Sequence, residues 1–398
     1  MTFHSWLAWP VIMIGLVPTV AEGAWKVALI HSFHGRDGAE ASGGLSVDAA
    51  GNLYGVTCAG GRDGHGTVFQ LRPPEGPGLG WTAVVLHSFG AREGVCPSGN
   101  IVLDAAGDVF GTALRGGAHG DGTVFEVVPP RGPGAGWRVS VLHAFDLRDG
   151  YRPTGVALGA DGALYGATSG GGRFNQGSVY RLAPPGGPGL GWTETILRSF
   201  RDGYSDPQNV ILDGSGNVYG DTMFSGDVYD AGTVFRLTPP AGGHGAWTNT
   251  VLHVFHHSDG YAPGGLVLDA AGNLYGWAAG GVHQAGLVFK LAPPEGGQGR
   301  WHETVLHVFD DADGSGVSSL VMDEDGDLYG TTLGGGRCFG ASGVVFSLQP
   351  PRWHETILTC FGSNAGFNAF GLAFDGDLFG LSRFGGRYGE GSAYRLTP

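Results

Sequence analysis

Along this chain apolar and polar positions alternate in short runs, each closed by Gly, Pro, Asn or Asp. A period of two is the mark of strands, and no longer stretch holds a helical period. Residues 265–309 show the pattern clearly: "GLVLD", "LYGWA", "GLVFKL" and "WHETVLHVF" predict four strands, a to d. The same succession recurs through the chain. Tryptophan stands eight residues before phenylalanine at Trp25/Phe33, Trp81/Phe89, Trp137/Phe145, Trp192/Phe200, Trp247/Phe255, Trp301/Phe309 and Trp353/Phe361. A glycine-bounded motif falls between them, as "GNLYG" at 51 and 272, "GDVFG" at 107, "GALYG" at 162, "GNVYG" at 216, "GDLYG" at 326 and "GDLFG" at 376. A third marker, "GTVF" at 66, 122 and 232, has variants at 177, 286, 343 and 391. Each marker occurs seven times, roughly 55 residues apart, and four strands per repeat is what a β-propeller blade requires.

The expected fold is therefore an all-β, seven-bladed β-propeller with four-stranded blades, occupying residues 24–398 as one domain. The chain enters through a d strand, "WKVALIHSF", and its last run is a c strand, "GSAYRLTP". The N-terminal strand can thus pair into the last blade and close the ring, removing an open sheet edge. The stretch "GLVLDAAGNLYGWAAGGVHQAGLVFKLAPP" with "WHETVLHVF" resembles the GloVer tandem repeat of exported bacterial proteins, over essentially residues 24–398. That resemblance implies a repeat propeller outside the cytoplasm and supplies no catalytic residues. The a–b segment is also similar to gluconolactonase-like and NHL propellers, at the level of a turn.

Composition narrows the partners. Glycine, at 78 residues, is abundant without a collagen period, which fits many turns. With 22 basic against 36 acidic residues the formal charge is -14, which argues against nucleic acid and anionic membrane surfaces. The apolar run from Leu7 to Val20, with Ala21 and Gly23 placed as at a signal-peptidase site, predicts a signal peptide over residues 1–23. No other run is long enough to span a bilayer. The expected product is a secreted, periplasmic or cell-surface monomer that meets an extracellular glycan or protein. Four cysteines in an exported chain suggest disulfides, and their loop positions favour Cys58 with Cys96 and Cys338 with Cys360.

Function is sought on the face carrying the d–a and b–c loops, because those loops vary while the a–b turns and c–d links repeat. Aromatic rings beside Arg, Asp and amides suit a sugar, stacking on C–H faces and bonding hydroxyls. The candidate ligand-binding residues are Tyr151, Arg152, Arg173, Phe174, Tyr204, Asp206, Phe224, Asp227 and Tyr229. An extracellular polysaccharide lyase or glycoside hydrolase using this face, and a purely structural envelope or adhesion module, are the alternatives to non-catalytic binding. No G-x-S-x-G, H-E-x-x-H or phosphate loop occurs, so catalytic residues are not assigned. The small neutral residues expected at the channel entrance, Gly44, Asn100, Gly155, Asn209, Gly265, Ser319 and Gly371, offer no acidic metal ligands.

Five d strands carry histidine in one register, at His31, His87, His143, His253 and His307. Spread around the ring, no two can share an ion, and strand alternation places Trp, His and Phe on one face. Each is expected to be a core histidine bonded to a neighbouring blade, so no metal set is assigned. The octapeptide "DAAGNLYG" at 48–55 and 269–276, like "DEDGDLYG" at 323 and "DDADGSG" at 310, has the look of a calcium loop without the full ligand spacing. It is read as an a–b turn capped by its own Asp and Asn, with calcium the one cofactor kept in view and none assigned.

Overall fold

The computed structural model describes residues 25–132, 134–187, 189–201, 205–224, 231–243, 245–297, 299–337, 342–362 and 366–398. Their strands form seven antiparallel sheets, the blades of a propeller. Blade 1 comprises a split inner strand (Ala39–Ala41, Ser46–Val47), then Leu53–Ala59, Thr67–Arg72 and Thr82–Ser88. Blade 2 comprises Val95–Leu103, Val109–Arg115, Thr123–Val128 and Arg138–Ala144, and blade 3 Tyr151–Leu158, Leu164–Gly170, Ser178–Ala183 and Thr193–Ser199. Blade 4 comprises Pro207–Leu212, Val218–Thr222, Thr233–Thr238 and Thr248–Val254, and blade 5 Tyr261–Leu268, Leu274–Ala279, Leu287–Ala292 and His302–Val308. Blade 6 comprises Ser315–Met322, Leu328–Gly334, Val344–Gln349 and His354–Cys360. Blade 7 takes strands a to c from Phe367–Asp375, Asp377–Phe384 and Ser392–Thr397, and its d strand, Lys26–Ser32, from the other end of the chain. The ring is closed as the sequence pattern predicts.

One feature of strand d departs from simple alternation. In all seven blades the c–d ladder slips by one residue at the same place, a β-bulge whose extra residue is Ile30, Leu86, Leu142, Leu197, Leu252, Leu306 or Leu358. A bulge reverses which side chains face which way. Trp, His and Phe therefore do not share a face. The tryptophan turns to the preceding blade, as in Trp81 on Phe379 (5.7 Å between rings), Trp192 on Phe110 (6.0 Å) and Trp247 on Tyr165 (6.2 Å). The phenylalanine turns to the following blade and meets an aromatic of its strand c. These pairs are Phe33–Phe69, Phe89–Phe125, Phe145–Tyr180, Phe200–Phe235, Phe255–Phe289, Phe309–Phe346 and Phe361–Tyr394, edge-on or tilted with centroids 4.9–5.4 Å apart. Burying one such ring stabilises by about 1.5–3 kcal/mol, and the ring pair adds about 0.5–1.5 kcal/mol. The hydrophobic core is accordingly a set of clusters that each straddle two blades.

The repeated "LYG" has a packing reason. A Cβ at its glycine, for instance Gly55, Gly111 or Gly276, would run into the strand c ring of the same blade, Phe69, Phe125 or Phe289. The a–b turn is also self-contained. Asp48 Oδ1 accepts from Ala50 N and Asn52 N, both at 2.9 Å, and its Oδ2 from Asn52 Nδ2 (2.8 Å) and Tyr54 Oη (3.0 Å). Asp269 repeats the arrangement, and Asp323 accepts from Asp325 N, Asp327 N and Tyr329 Oη. What resembles a calcium loop spends its leading carboxylate on its own turn.

Each histidine of strand d reaches forward to a carboxylate in the loop that enters the next blade. Nε2 of His31, His87, His143 and His307 lies 2.8, 2.9, 3.0 and 3.0 Å from Asp37, Glu93, Asp149 and Asp313. Cys58, near the end of strand b of blade 1, is disulfide-bonded to Cys96 in strand a of blade 2, across 38 residues of sequence. Cys360 is also disulfide-bonded, and Cys338 lies outside the described residues.

Candidate functional site

Strand a of each blade lines the central channel, a cavity of about 1290 Å³ that reaches the d–a/b–c face. The strands begin earlier than the sequence pattern suggests. Asn100, Gly265, Ser319 and Gly371 consequently lie within strand a, along the channel wall instead of ahead of the strand. At the entry of strand a every blade holds one residue in the left-handed region: Glu40, Cys96, Arg152, Asp206, Ala262, Gly316 and Asn368, with φ between 45° and 68°. Such a conformation costs a non-glycine residue about 1–2 kcal/mol, so the surroundings must impose it. They do so by hydrogen bonding. Arg152 N donates to Asp121 O at 2.9 Å, Cys96 N to His65 O at 3.0 Å and Ala262 N to Ala231 O at 2.9 Å, each acceptor sitting in the b–c loop of the preceding blade.

The bond is also made by Glu40 N and Gly316 N, and the entry residues, six of which carry side chains, differ in chemistry from blade to blade. Cys96 is bound to Cys58, while Glu40 is paired with Arg383 of blade 7 at 2.7 Å. Arg152 and Asp206 occupy adjacent entries. Burial raises the Asp206 carboxyl, with the Arg152 charge and the Gln208 amide (3.0 Å) pulling the other way. Behind Asp206, in strand b of blade 4, Asp221 is 1% exposed where Thr112 and Thr331 stand in blades 2 and 6. Burial first, and the Asp206 charge second, push its carboxyl well above the usual carboxylate range. Asp221 Oδ1, Ser205 Oγ and Asn209 Oδ1 are all buried without a hydrogen-bond partner among the described residues, and Asn209 lines the channel. Blade 4 thus carries, among the described residues, a wall of unsatisfied polar atoms, which is rare in a folded interior.

The nine sequence-predicted residues are placed as follows. Tyr151 opens strand a of blade 3 with its ring against Gly170, and Arg152 and Asp206 are brought together at the rim. Phe174 is exposed on the b–c loop of blade 3 with the Arg173 guanidinium over its ring, 5.3 Å from the centroid. Phe224 is half-buried beyond strand b of blade 4, its N–H donating to Ser205 O at 3.3 Å. Tyr204, Asp227 and Tyr229 lie outside the described residues. Sequence reasoning named Asn209 only as a neutral residue of the channel entrance, and did not single out Asp221, the Glu40–Arg383 pair or Tyr388. The last is exposed on the b–c loop of blade 7 with Arg387 over its ring at 5.6 Å. The signal was there in the last case: "GGRF" at 171 and "GGRY" at 385 are the same loop with an aromatic after arginine.

Comparison with known proteins adds the following. The Gloeobacter/Verrucomicrobia repeat matches the chain over residues 15–205 and 154–394. No curated protein matches it. Among solved structures, a protein from Lactobacillus plantarum is similar with 15% identity and a TM-score of 0.56, over 87% of this chain and 99% of that one. PorZ, a surface component of the type-IX secretion system of Porphyromonas gingivalis, is similar with 14% identity and a TM-score of 0.54, over 89% of this chain and 46% of that one. A gluconolactonase from Xanthomonas campestris has 17% identity and a TM-score of 0.43, over 74% of this chain and 82% of that one. At these identities the first two likenesses concern the fold alone.

Proposed function

This chain belongs to the Gloeobacter/Verrucomicrobia repeat family, and from that premise we propose that it is an exported, non-catalytic propeller that binds a glycan on its d–a/b–c face. The observation that carries the reading is the arginine-backed aromatic, Phe174 on Arg173 and again Tyr388 on Arg387, exposed on one face of the ring. A ring held by a guanidinium on one side leaves the other side for the C–H face of a sugar, while the rim's Arg152, Asp206 and Gln208 supply hydroxyl partners. Export is supported by the apolar segment at residues 7–20, and the Cys58–Cys96 disulfide is consistent with an extracellular location.

The feature favouring an extracellular glycoside hydrolase or lyase instead is the Asp206–Asp221 pair, since a carboxyl that burial raises beside a second one is the material of a general acid. Retention of the purified protein on soluble polysaccharides, scored together with new reducing or unsaturated ends, separates the two. Retention without cleavage, lost in Phe174→Ala/Tyr388→Ala, is the expected result. New ends without retention overturn non-catalytic binding, and neither signal points to a structural envelope module.

A further inference from the structure

Strand d contains a third variable position, two residues after its tryptophan: Val27, Ala83, Val139, Glu194, Asn249, Glu303 and Glu355. Because the bulge aims the first half of strand d at the preceding blade and the histidine at the following one, this position faces the histidine of the blade before. Where it is apolar, as at Ala83 and Val139, His31 and His87 pair with a single carboxylate. Where it is glutamate the outcome changes. His143 Nε2 lies 3.0 Å from Asp149 Oδ2 and 3.5 Å from Glu194 Oε1, and His253 Nε2 lies 3.3 Å from Asp259 Oδ2 and 3.9 Å from Glu303 Oε2. In each group one imidazole nitrogen and two carboxylate oxygens lie within 4.8 Å of one another.

We propose that His143–Asp149–Glu194 and His253–Asp259–Glu303 are two equivalent sites for a divalent cation of the zinc class, joining blade 2 to 3 and blade 4 to 5. Donor atoms around a tetrahedral ion with bonds of about 2.0–2.2 Å stand roughly 3.3–3.6 Å apart, and the histidine–carboxylate distances here, 3.0 and 3.5 Å in one group and 3.3 and 3.9 Å in the other, bracket that spacing. A neutral imidazole with two carboxylates carries a charge that a divalent ion cancels, and the nitrogen donor selects zinc, cobalt or nickel over calcium. A second observation points the same way. Glu194 Oε1 and His253 Nε2, both atoms of these clusters, are shielded from water and make no hydrogen bond of good geometry among the described residues, while Glu303 Oε1 and, at the third boundary, Glu355 Oε1 are unsatisfied as well. Three protein ligands leave a fourth position for water, and the ligands come from two blades, so the ion ties neighbouring blades together at their outer strands.

The third boundary with glutamate, His307, Asp313 and Glu355, holds the same residue types but its donor atoms do not converge in the same way among the described residues. It serves as an internal control. The second site has Arg300 and His256 acting against positive charge there, and its donors stand farther apart, so it is the weaker of the two.

The test is titration of the metal-stripped full chain with zinc chloride by calorimetry, with cobalt absorption in parallel to report a tetrahedral ligand field. About two ions should bind per chain, one in Glu194→Gln, one in Glu303→Gln, none in the double variant, and two still in Glu355→Gln. Gln keeps the shape of Glu, and circular dichroism of each variant shows whether the propeller persists. Zinc should raise the melting temperature of the wild type and not of the double variant. Absence of zinc binding overturns the proposal, as does a stoichiometry unchanged in the double variant, which would locate the ions on scattered surface histidines.

Discussion

Replacing Asp221 by threonine is expected to stabilise this protein, in a pH-dependent way. The buried Oδ1 has no partner among the described residues, and an unsatisfied polar atom in the interior costs about 1–3 kcal/mol. The raised carboxyl adds a linkage cost. In the unfolded chain an aspartate ionises near pH ~4, so above that pH the unfolded state releases a proton that the folded state retains. Stability conferred by Asp221 is therefore fully present below pH ~4 and declines toward the folded-state pKa, by up to about 1.4 kcal/mol per pH unit. Threonine removes both costs. Its hydroxyl can meet strand a as Thr112 Oγ1 does, donating to Ser98 O at 2.9 Å. Urea unfolding followed by tryptophan fluorescence at about pH 4, 5 and 6 measures the difference: a gain of about 1–3 kcal/mol at the lowest pH, growing with pH. A gain that does not grow, or a wild type more stable than the variant at pH ~6, refutes the assignment of Asp221 as a raised, unpartnered carboxyl. If Asp221 also serves the rim, the stabilised variant should lose ligand retention, since stability and function trade against each other at such positions.

Three further outcomes follow from the packing. Phe255→Ala empties a fully buried site against Phe289 and should cost about 3–5 kcal/mol in the same unfolding assay. Asp269→Ala removes the acceptor of four turn donors and should cost about 1–2 kcal/mol near neutral pH. Burial raises the Asp269 carboxyl but the bonds from Asn273 and Tyr275 outweigh it, so its pKa is lowered. The wild-type advantage should thus be present above pH ~4 and fade as pH falls through the folded-state value. Cys58→Ser/Cys96→Ser opens a 38-residue loop and should lower stability by about 4 kcal/mol by chain entropy, with the urea midpoint as readout.

The blades were legible in the sequence because each is written seven times, so that Trp, "LYG" and "GTVF" average out the ambiguity of any single strand. Ring closure was legible for the same reason, since a d strand stands alone at one end and an a-b-c set at the other. The bulge was not. Ile30, Leu86 and their equivalents read as ordinary apolar strand residues, and nothing in a period-two pattern says that one of them is unpaired. Its loss carried a second error, because Trp, His and Phe then fell on one face and the glutamates facing the histidines from the next blade were invisible. At the rim, Arg152 and Asp206 were accessible to sequence reasoning as loop charges. Asp221 was hidden inside "GNVYGDT", where its burial depends on strand a lying across it.

The seam of the ring has a kinetic meaning. Strand Lys26–Ser32 pairs with Ser392–Thr397, while flanking Trp25 packs on Tyr329 of blade 6 (5.9 Å) and Phe33 on Phe69 of blade 1 (5.0 Å). One short segment thus touches three blades, and its hydrogen-bond partner is separated from it by nearly the whole chain. Such a contact rewards the chain only after the longest loop has been closed, so the first of the described strands is the last to find its place. Until then it presents an unpaired edge, and Ser392–Thr397 presents the matching one, a pair of ends that a second chain in the same state could satisfy as well. Refolding at rising protein concentration should therefore divert material into strand-exchanged dimers, a hazard confined to the assembly stage and absent once the circle is complete.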